Sequence, residues 1–519
     1  MAAGTDGAAV DIAAAMITVP TAARDWLVIV PVVLPLACGA LGVMLRRFTR
    51  LQPVLAIVAL ALVAAADLAL LARVMAEGPV TMVMGRWLPP FGIAFTVDPA
   101  GAALALTAAV CGLAGAFYAL ADVDGPARRA GFFPFLLLML AGVSGSFLTG
   151  DIFNLYVWFE VLLISSFGLL VLGGTPRQID GTVKYGLLNL IATTLFLIAT
   201  GYLYGLIGTL NMADIAIRLA GRPLDGPVIV IAALYLVAFG MKAAAFPLNA
   251  WLPASYHTPK IVVAAVFAGL LTKVGAYALL RTLAMLMPAE RAALAPAVAW
   301  IAALTILTSA LLSLAQTEIR RSLGFMVITG IGFVLAGLAV GGERALSGSL
   351  LYAIHSMLAM TAIYLTVGAV ERVAGSSSLA RLGGLYRDHP WLSAAFFLLM
   401  LAVAGLPPMS GFWPKAVLVG AALDAGAGWL AAAMLAGGLL TTLALGRIWL
   451  LAFWRPAPEG REALAVRLPA AVIGPILALV AIVAWLGLAP ETALAIATRG
   501  AAGLVDPAAY LDAVFGGGR

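Results

Sequence analysis

Apolar stretches long enough to cross a bilayer recur along the whole chain, separated by short polar links. They fall at about 26–46, 53–75, 98–121, 130–149, 151–173, 184–208, 227–248, 260–283, 293–315, 320–340, 346–371, 389–421, 428–453 and 469–490. A hydrocarbon layer of about 30 Å takes roughly 20 residues of helix, and only helices or closed barrels satisfy their own backbone there. The pattern predicts an all-α polytopic membrane protein with about 14 transmembrane helices. No link is long enough for a soluble domain; the longest polar ones lie near 372–388 and 455–467. The tail from Glu491 to Arg519 mixes Ala, Leu and Val with a few charges, which suits either a surface helix or a frayed end. Residues Met1–Asp25 lack the basic start and long apolar core of a cleaved signal peptide.

Composition agrees: 63% of residues are hydrophobic and 10% charged, against about 25% charged in soluble proteins. The net charge of +6 reads as a topology signal rather than a nucleic-acid surface, because the basic residues sit in the links. One set of links holds Arg46, Arg47, Arg50, Arg128, Arg129, Arg177, Lys260, Arg320, Arg321, Arg372, Arg381, Arg387, Arg455, Arg461 and Arg467. The opposite set holds fewer, although the 208–226 and 281–292 loops are not poor in arginine. The positive-inside rule then puts the first set in the cytoplasm and both termini on the outer (periplasmic) side of the cell (inner) membrane. Cys38 and Cys111 lie in apolar runs and read as small hydrophobes. The three histidines are scattered, so no metal or cofactor site is expected.

Five titratable groups interrupt the apolar runs: Glu160, Lys242, Lys273, His355 and Lys415. Glu160 stands roughly ten residues, or about 15 Å of helix, beyond Asp151, near mid-membrane. An ionisable group at that depth costs at least a few kcal/mol, so its default reading is functional. Burial favours a neutral lysine and a nearby carboxylate a charged one, so a Glu–Lys contact can switch a proton on and off. A row of such groups bridged by water is the usual build of a proton relay. Bland alternatives stand beside each: a protonated Glu160 bonded to a neighbouring helix, Lys242 snorkelling from a helix end, and His355 bonding a backbone carbonyl. Asp67 reads as a local pair or a lipid-side anomaly with no identifiable partner.

Helix breakers flank two of the lysines. Pro247 follows Lys242, while Pro407, Pro408 and Pro414 precede Lys415. Proline removes a donor and clashes with the preceding turn, and broken helices in corresponding places of two halves mark inverted-repeat transporters. The seventh and twelfth runs are five apart. The expected division is therefore three N-terminal helices (1–129), a first five-helix repeat (130–283, helices 4–8), a second (293–453, helices 9–13), and a last helix with the tail (454–519). The tenth run offers no acid at the depth of Glu160; Glu318 lies at its mouth.

Four segments carry a family resemblance: Gly150-Asp-Ile-Phe-Asn-Leu-Tyr-Val-Trp-Phe-Glu160, Trp251-Leu-Pro-Ala-Ser-Tyr-His-Thr-Pro259, Gly269-Leu-Leu-Thr-Lys-Val-Gly275 and Gly405-Leu-Pro-Pro-Met-Ser-Gly-Phe412. Together they resemble the D-type membrane component of Mrp-type (Pha, Mnh) multisubunit cation/proton antiporters, over roughly residues 98–425. The wider family includes the antiporter-like membrane subunits of respiratory complex I and membrane-bound hydrogenases. The resemblance implies fourteen helices with two inverted repeats, a proton path through Glu160, Lys242, Lys273 and Lys415, and other membrane subunits as partners. Met360 stands where many relatives carry a lysine, which leaves His355 and water to link the two halves. Lys260 replaces a proline common in relatives and reads as a snorkelling anchor.

The expected function is proton movement coupled to exchange of sodium or another monovalent cation, with no nucleotide-binding motif of the phosphate-cradling kind. A proton-pumping subunit of a complex I-like oxidoreductase or hydrogenase uses the same residues with another engine. A purely structural subunit and an intramembrane enzyme acting on lipid are the rivals of other classes. For the last, Asp151 and Asn154 offer a thin signal.

Overall fold

The computed structural model describes residues 16–18, 20–457 and 467–516. Arg461 and the reading of residues 1–15 as no signal peptide fall outside them. Each apolar run is helical: α1 (Val30–Met44), α2 (Leu51–Glu77), α3 (Pro99–Asp122), α4 (Phe132–Leu148), α5 (Ile152–Val171), α6 (Pro176–Ile207), α7 (Gly226–Ala243), α8 (Ile261–Leu286), α9 (Pro288–Ala315), α10 (Ile319–Val340), α11 (Gly342–Ala374), α12 (Pro390–Ala404, resuming over Phe412–Asp424), α13 (Gly428–Trp454) and α14 (Ala470–Leu488). Eleven of these are long and apolar enough to span; Val30–Met44, Phe132–Leu148 and Pro390–Ala404 are shorter apolar helices. The protein is a multi-pass membrane protein.

Local chemistry sets the helix starts. Asp98 caps α3 by accepting from the Gly101 N–H at 2.8 Å, with Pro99 in the first turn. Thr175 and Gln178 form a reciprocal capping box on α6. One stripe of α6 (Tyr185, Asn189, Ala192, Phe196, Ala199, Leu203) is buried at helical spacing, while Val183, Leu187, Leu190 and Ile198 face outward. The most apolar windows of α8 and α11 are 100% buried, against 39% for α6 and α14. Two helices thus form an axis that the others wall off from lipid.

Both predicted breaks exist. α7 ends at left-handed Ala244 (φ 61°) and resumes as the short helix Trp251–Ser255. Its loose backbone is bonded: Phe246 N–H donates to Thr305 Oγ1 at 2.9 Å, and Trp251 Nε1 donates to the Met241 carbonyl at 3.0 Å. α12 breaks between Ala404 and Phe412. The two lysines are not in matching places: Lys242 precedes its break and Lys415 follows its own.

At one end of the bundle a small hairpin, β1 (Val80–Val83) and β2 (Ala94–Val97), fills the α2–α3 link. The apolar-run pattern gave no sign of it. Gly150 N–H donates to the Ala94 carbonyl and Met212 N–H to the Gly150 carbonyl, each at 2.8 Å. The α4–α5 junction is therefore stitched to two other links. As far as Phe515 the tail is helical and packed on the bundle rather than frayed. α15 (Glu491–Val505) packs on α3 and α11 with Gly500 against Ala100 and Leu350, and α16 (Ala508–Phe515) buries Tyr510.

Close packing of α9 on α10 depends on Gly332, where a Cβ would lie 2.9 Å from the Ala302 carbonyl and 3.0 Å from the Ile306 nitrogen. Overpacking of this kind costs about 1–3 kcal/mol. Gly332→Ala is expected to lower the thermal midpoint of the detergent-solubilised protein. Gly201→Ala, with nothing within 4 Å, is expected to leave it unchanged or raise it, as followed by thermal-shift fluorescence.

Candidate functional site

Glu160 sits on α5 behind an N-cap made by the Gly-Asp-Ile-Phe-Asn segment. Asp151 accepts from the Asn154 N–H at 2.7 Å, and Asn154 Nδ2 donates to Thr149 Oγ1 at 2.9 Å. Both residues are thus committed to building a helix start, which removes the thin signal for lipid chemistry. Glu160 Oε1 is buried without a hydrogen-bond partner among the described residues. It makes no ion pair with Lys242 among the described residues, although it lies within electrostatic reach of that amine. The expected contact is an unclosed one. Lys242 is 6% exposed, so it does not snorkel. Its Nζ lies 5.3 Å over the ring of Phe159, which stacks with Phe239 and meets Phe196 edge-on.

Lys273 lies on wholly buried α8, and its Nζ donates to the Ala268 carbonyl at 2.8 Å. The flanking glycines let neighbours close in on both sides of it. A Cβ at Gly275 would lie 2.8 Å from the Ala243 nitrogen and 3.0 Å from Lys242 Cβ, and one at Gly269 would lie 3.0 Å from the Met357 carbonyl oxygen. The Gly-Leu-Leu-Thr-Lys-Val-Gly segment is therefore a lysine with a smooth flank toward α7 and another toward α11. Met360, at the position of the family lysine, is buried in this core.

Among the described residues His355 bonds a side chain rather than a backbone carbonyl. Its Nδ1 lies 2.8 Å from Ser410 Oγ, inside the α12 break. Lys273 and Lys415 are both within electrostatic reach of the ring. Tyr352 meets His355 edge-on at 5.8 Å and stacks on Phe333, and Lys415 Nζ lies 5.0 Å over that same Phe333. Lys415 Nζ also donates to the Val403 and Ala404 carbonyls at 3.2 and 2.7 Å. These are free carbonyls at the negative end of the first half of α12.

Several placements differ from expectation. Asp67 faces the interior, not lipid: it is 0% exposed, and neither carboxyl oxygen has a hydrogen-bond partner among the described residues. Lys260 is no snorkelling anchor, since its Nζ reaches Asp124 Oδ2 and the Asp122 carbonyl, each at 3.4 Å, tying α8 to the α3–α4 link. The Ala127 N–H and then Lys260 hold the Asp124 carboxyl below its usual range. The mouth beside Glu318 is a polar cavity of about 380 Å³ lined by Arg177, His257, Arg320 and Glu371 among others.

The sequence reading missed the strongest buried charge pair. Arg281 does not lie in a loop; α8 continues past it as a π-helical turn, Leu280–Leu286. Its guanidinium clasps Asp98 through two bonds of 2.8 and 2.9 Å, and it also donates to Tyr277 Oη at 2.7 Å. The side chains are 1% and 3% exposed. The available signal was an arginine between Leu280 and Thr282, two turns beyond Lys273.

Residues 149–441 match the family described as NADH:quinone oxidoreductase/Mrp antiporter, TM. The chain belongs to this family. It is 35% identical to the D component of the Na(+)/H(+) antiporter of Alkalihalophilus pseudofirmus over 489 residues, 94% of this chain and 99% of that one. A Bacillus subtilis protein of the same name is also 35% identical, over 493 residues, with the same coverage of 94% and 99%. Among solved structures, a chain of the Mrp complex from Dietzia sp. superposes with a TM-score of 0.88 at 30% identity, covering 95% of this chain and 100% of that one. A chain of respiratory complex I from Thermus thermophilus gives 0.79 at 25% identity, with 92% and 99% covered. Within this Mrp/complex I family, the chain matches the antiporter relatives over nearly their whole length.

Removing one partner of a buried ion pair costs about 3–5 kcal/mol, while replacing both by apolar groups is often neutral. Asp98→Leu alone is therefore expected to lower sharply the amount of folded protein recovered from membranes. The double substitution Asp98→Leu with Arg281→Met is expected to restore most of it, as measured by size-exclusion chromatography.

Proposed function

We propose that this chain is the proton-translocating subunit of a multisubunit monovalent cation/proton antiporter in the cell membrane, with both termini on the outer side. It is a transporter subunit, and its partners are other membrane subunits, as the Mrp complex relative suggests. One observation carries the relay: Lys242 and Lys273 are buried and Lys415 half-buried, yet none is ion-paired among the described residues, whereas Arg281 is fully paired. A guanidinium locked to a carboxylate holds its charge. An amine held only by carbonyls or an aromatic face can gain or lose a proton at modest cost.

The proposed order is Glu160 and Lys242 as a pair that modulates protonation, Lys273 as central carrier, His355 as bridge and Lys415 as terminal carrier. The unclosed Glu160–Lys242 contact suits a switch, because a permanently closed pair would fix the lysine proton. The two five-helix units, 130–283 and 293–453, are proposed as inverted repeats that meet between Lys273 and His355. Identity of 35% over nearly the full length of two proteins named as Na(+)/H(+) antiporter components favours exchange over redox-driven pumping.

In a complete complex reconstituted in vesicles, Lys273→Ala is expected to abolish cation-dependent proton exchange, followed with a pH-sensitive dye, without loss of assembly. Exchange at the wild-type rate would sink the relay. Glu160→Gln is expected to slow exchange roughly tenfold or more; full activity would leave Glu160 as a structural residue.

A further inference from the structure

A histidine that passes protons must receive at one ring nitrogen and release at the other, and so must exist as either neutral tautomer and as the cation. In this protein the ring of His355 is held at Nδ1 by a side-chain hydroxyl, that of Ser410. A hydroxyl is both donor and acceptor. It donates to a bare Nδ1 and accepts from Nδ1–H, so the bond survives every protonation state of the ring. A backbone carbonyl would have frozen the Nδ1–H form.

We infer that Ser410 is a positioning residue for proton transfer, whose hydroxyl keeps His355 in register between Lys273 and Lys415 whichever ring nitrogen carries a proton. This rests on the relay reading above.

Three further observations support it. His355 and Ser410 are 3% and 4% exposed, so bulk water does not substitute for the bond. Gly411 leaves room for the ring, since a Cβ there would lie 2.9 Å from His355 Nε2. The break is also propped from behind: Trp413 Nε1 donates to the Gly487 carbonyl of α14 at 2.8 Å, and a Cβ at Gly487 would lie 2.6 Å from the Ser410 nitrogen. The hydroxyl is thus fixed by a third helix rather than carried on a free loop. With Met360 in place of a second basic group on α11, the alignment of this one ring governs passage between the two halves. The groups facing it are Lys273 from α8, Lys415 from α12 and, on its own helix, Tyr352.

The test uses the complete complex in vesicles, with exchange rate measured against pH. Ser410→Ala removes the hydroxyl; Ser410→Cys keeps nearly its volume but supplies only a weak hydrogen bond. Both are expected to slow exchange roughly tenfold and to shift the pH profile, with complex assembly on native gels unchanged. If Ser410→Ala fails to assemble, Ser410→Cys decides. A wild-type rate and profile in either assembled variant overturns the inference. His355→Ala is run alongside: if it exchanges normally, the relay reading itself has failed, whereas normal Ser410 variants beside a dead His355→Ala remove only the role of Ser410.

Discussion

A charge inside hydrocarbon is expensive, and this chain places three lysines, a glutamate and a histidine there. The architecture follows from hiding them. α8 and α11, which carry Lys273 and His355, are screened from lipid along their whole apolar windows. That screening needs close helix contacts, and Gly269 and Gly275 provide them on either side of Lys273. The breaks in α7 and α12 answer the same constraint from another direction. A broken helix exposes backbone groups that can hold a charge without a counter-ion, and Lys415 bonds two such carbonyls.

The structure holds its charges in the apolar helices in two ways. Arg281 and Asp98 are closed on each other by two hydrogen bonds and fix the end of α8 to the start of α3. The lysines are held by weaker partners: an aromatic face for Lys242, one carbonyl for Lys273, a helix end for Lys415. The first arrangement is static by its geometry. The second leaves a proton free to move, and the His355–Ser410 bond lies where the proposed relay would pass between its two halves.

Much of this was legible in the sequence. Fourteen apolar runs became helices because in lipid the backbone has no other way to satisfy itself over that length. Prolines marked both breaks because each removes a backbone donor and crowds the preceding turn. The residues proposed for the relay stood out because charge in an apolar run is conspicuous. What was not legible depended on long-range packing. Arg281 looked like a link residue because nothing local shows that α8 continues through it to reach Asp98, more than 180 positions earlier. Ser410 was hidden as one small polar residue in a turn-like segment. The tail looked loose because its small apolar face gains meaning only against α3 and α11. The Gly-Asp-Ile-Phe-Asn segment carries the family resemblance, yet its side chains build a helix cap and a junction.

A central carrier must change its proton during turnover, and in the proposed relay that carrier is Lys273. Solid-state ¹⁵N NMR of the reconstituted complex with labelled lysine, assigned by the signal lost in Lys273→Arg, reads this directly. The Lys273 Nζ resonance is expected to move between ammonium and amine positions as pH is varied across the range in which exchange operates. A resonance that stays at the ammonium position throughout that range, in a complex that still exchanges cations for protons, would contradict it.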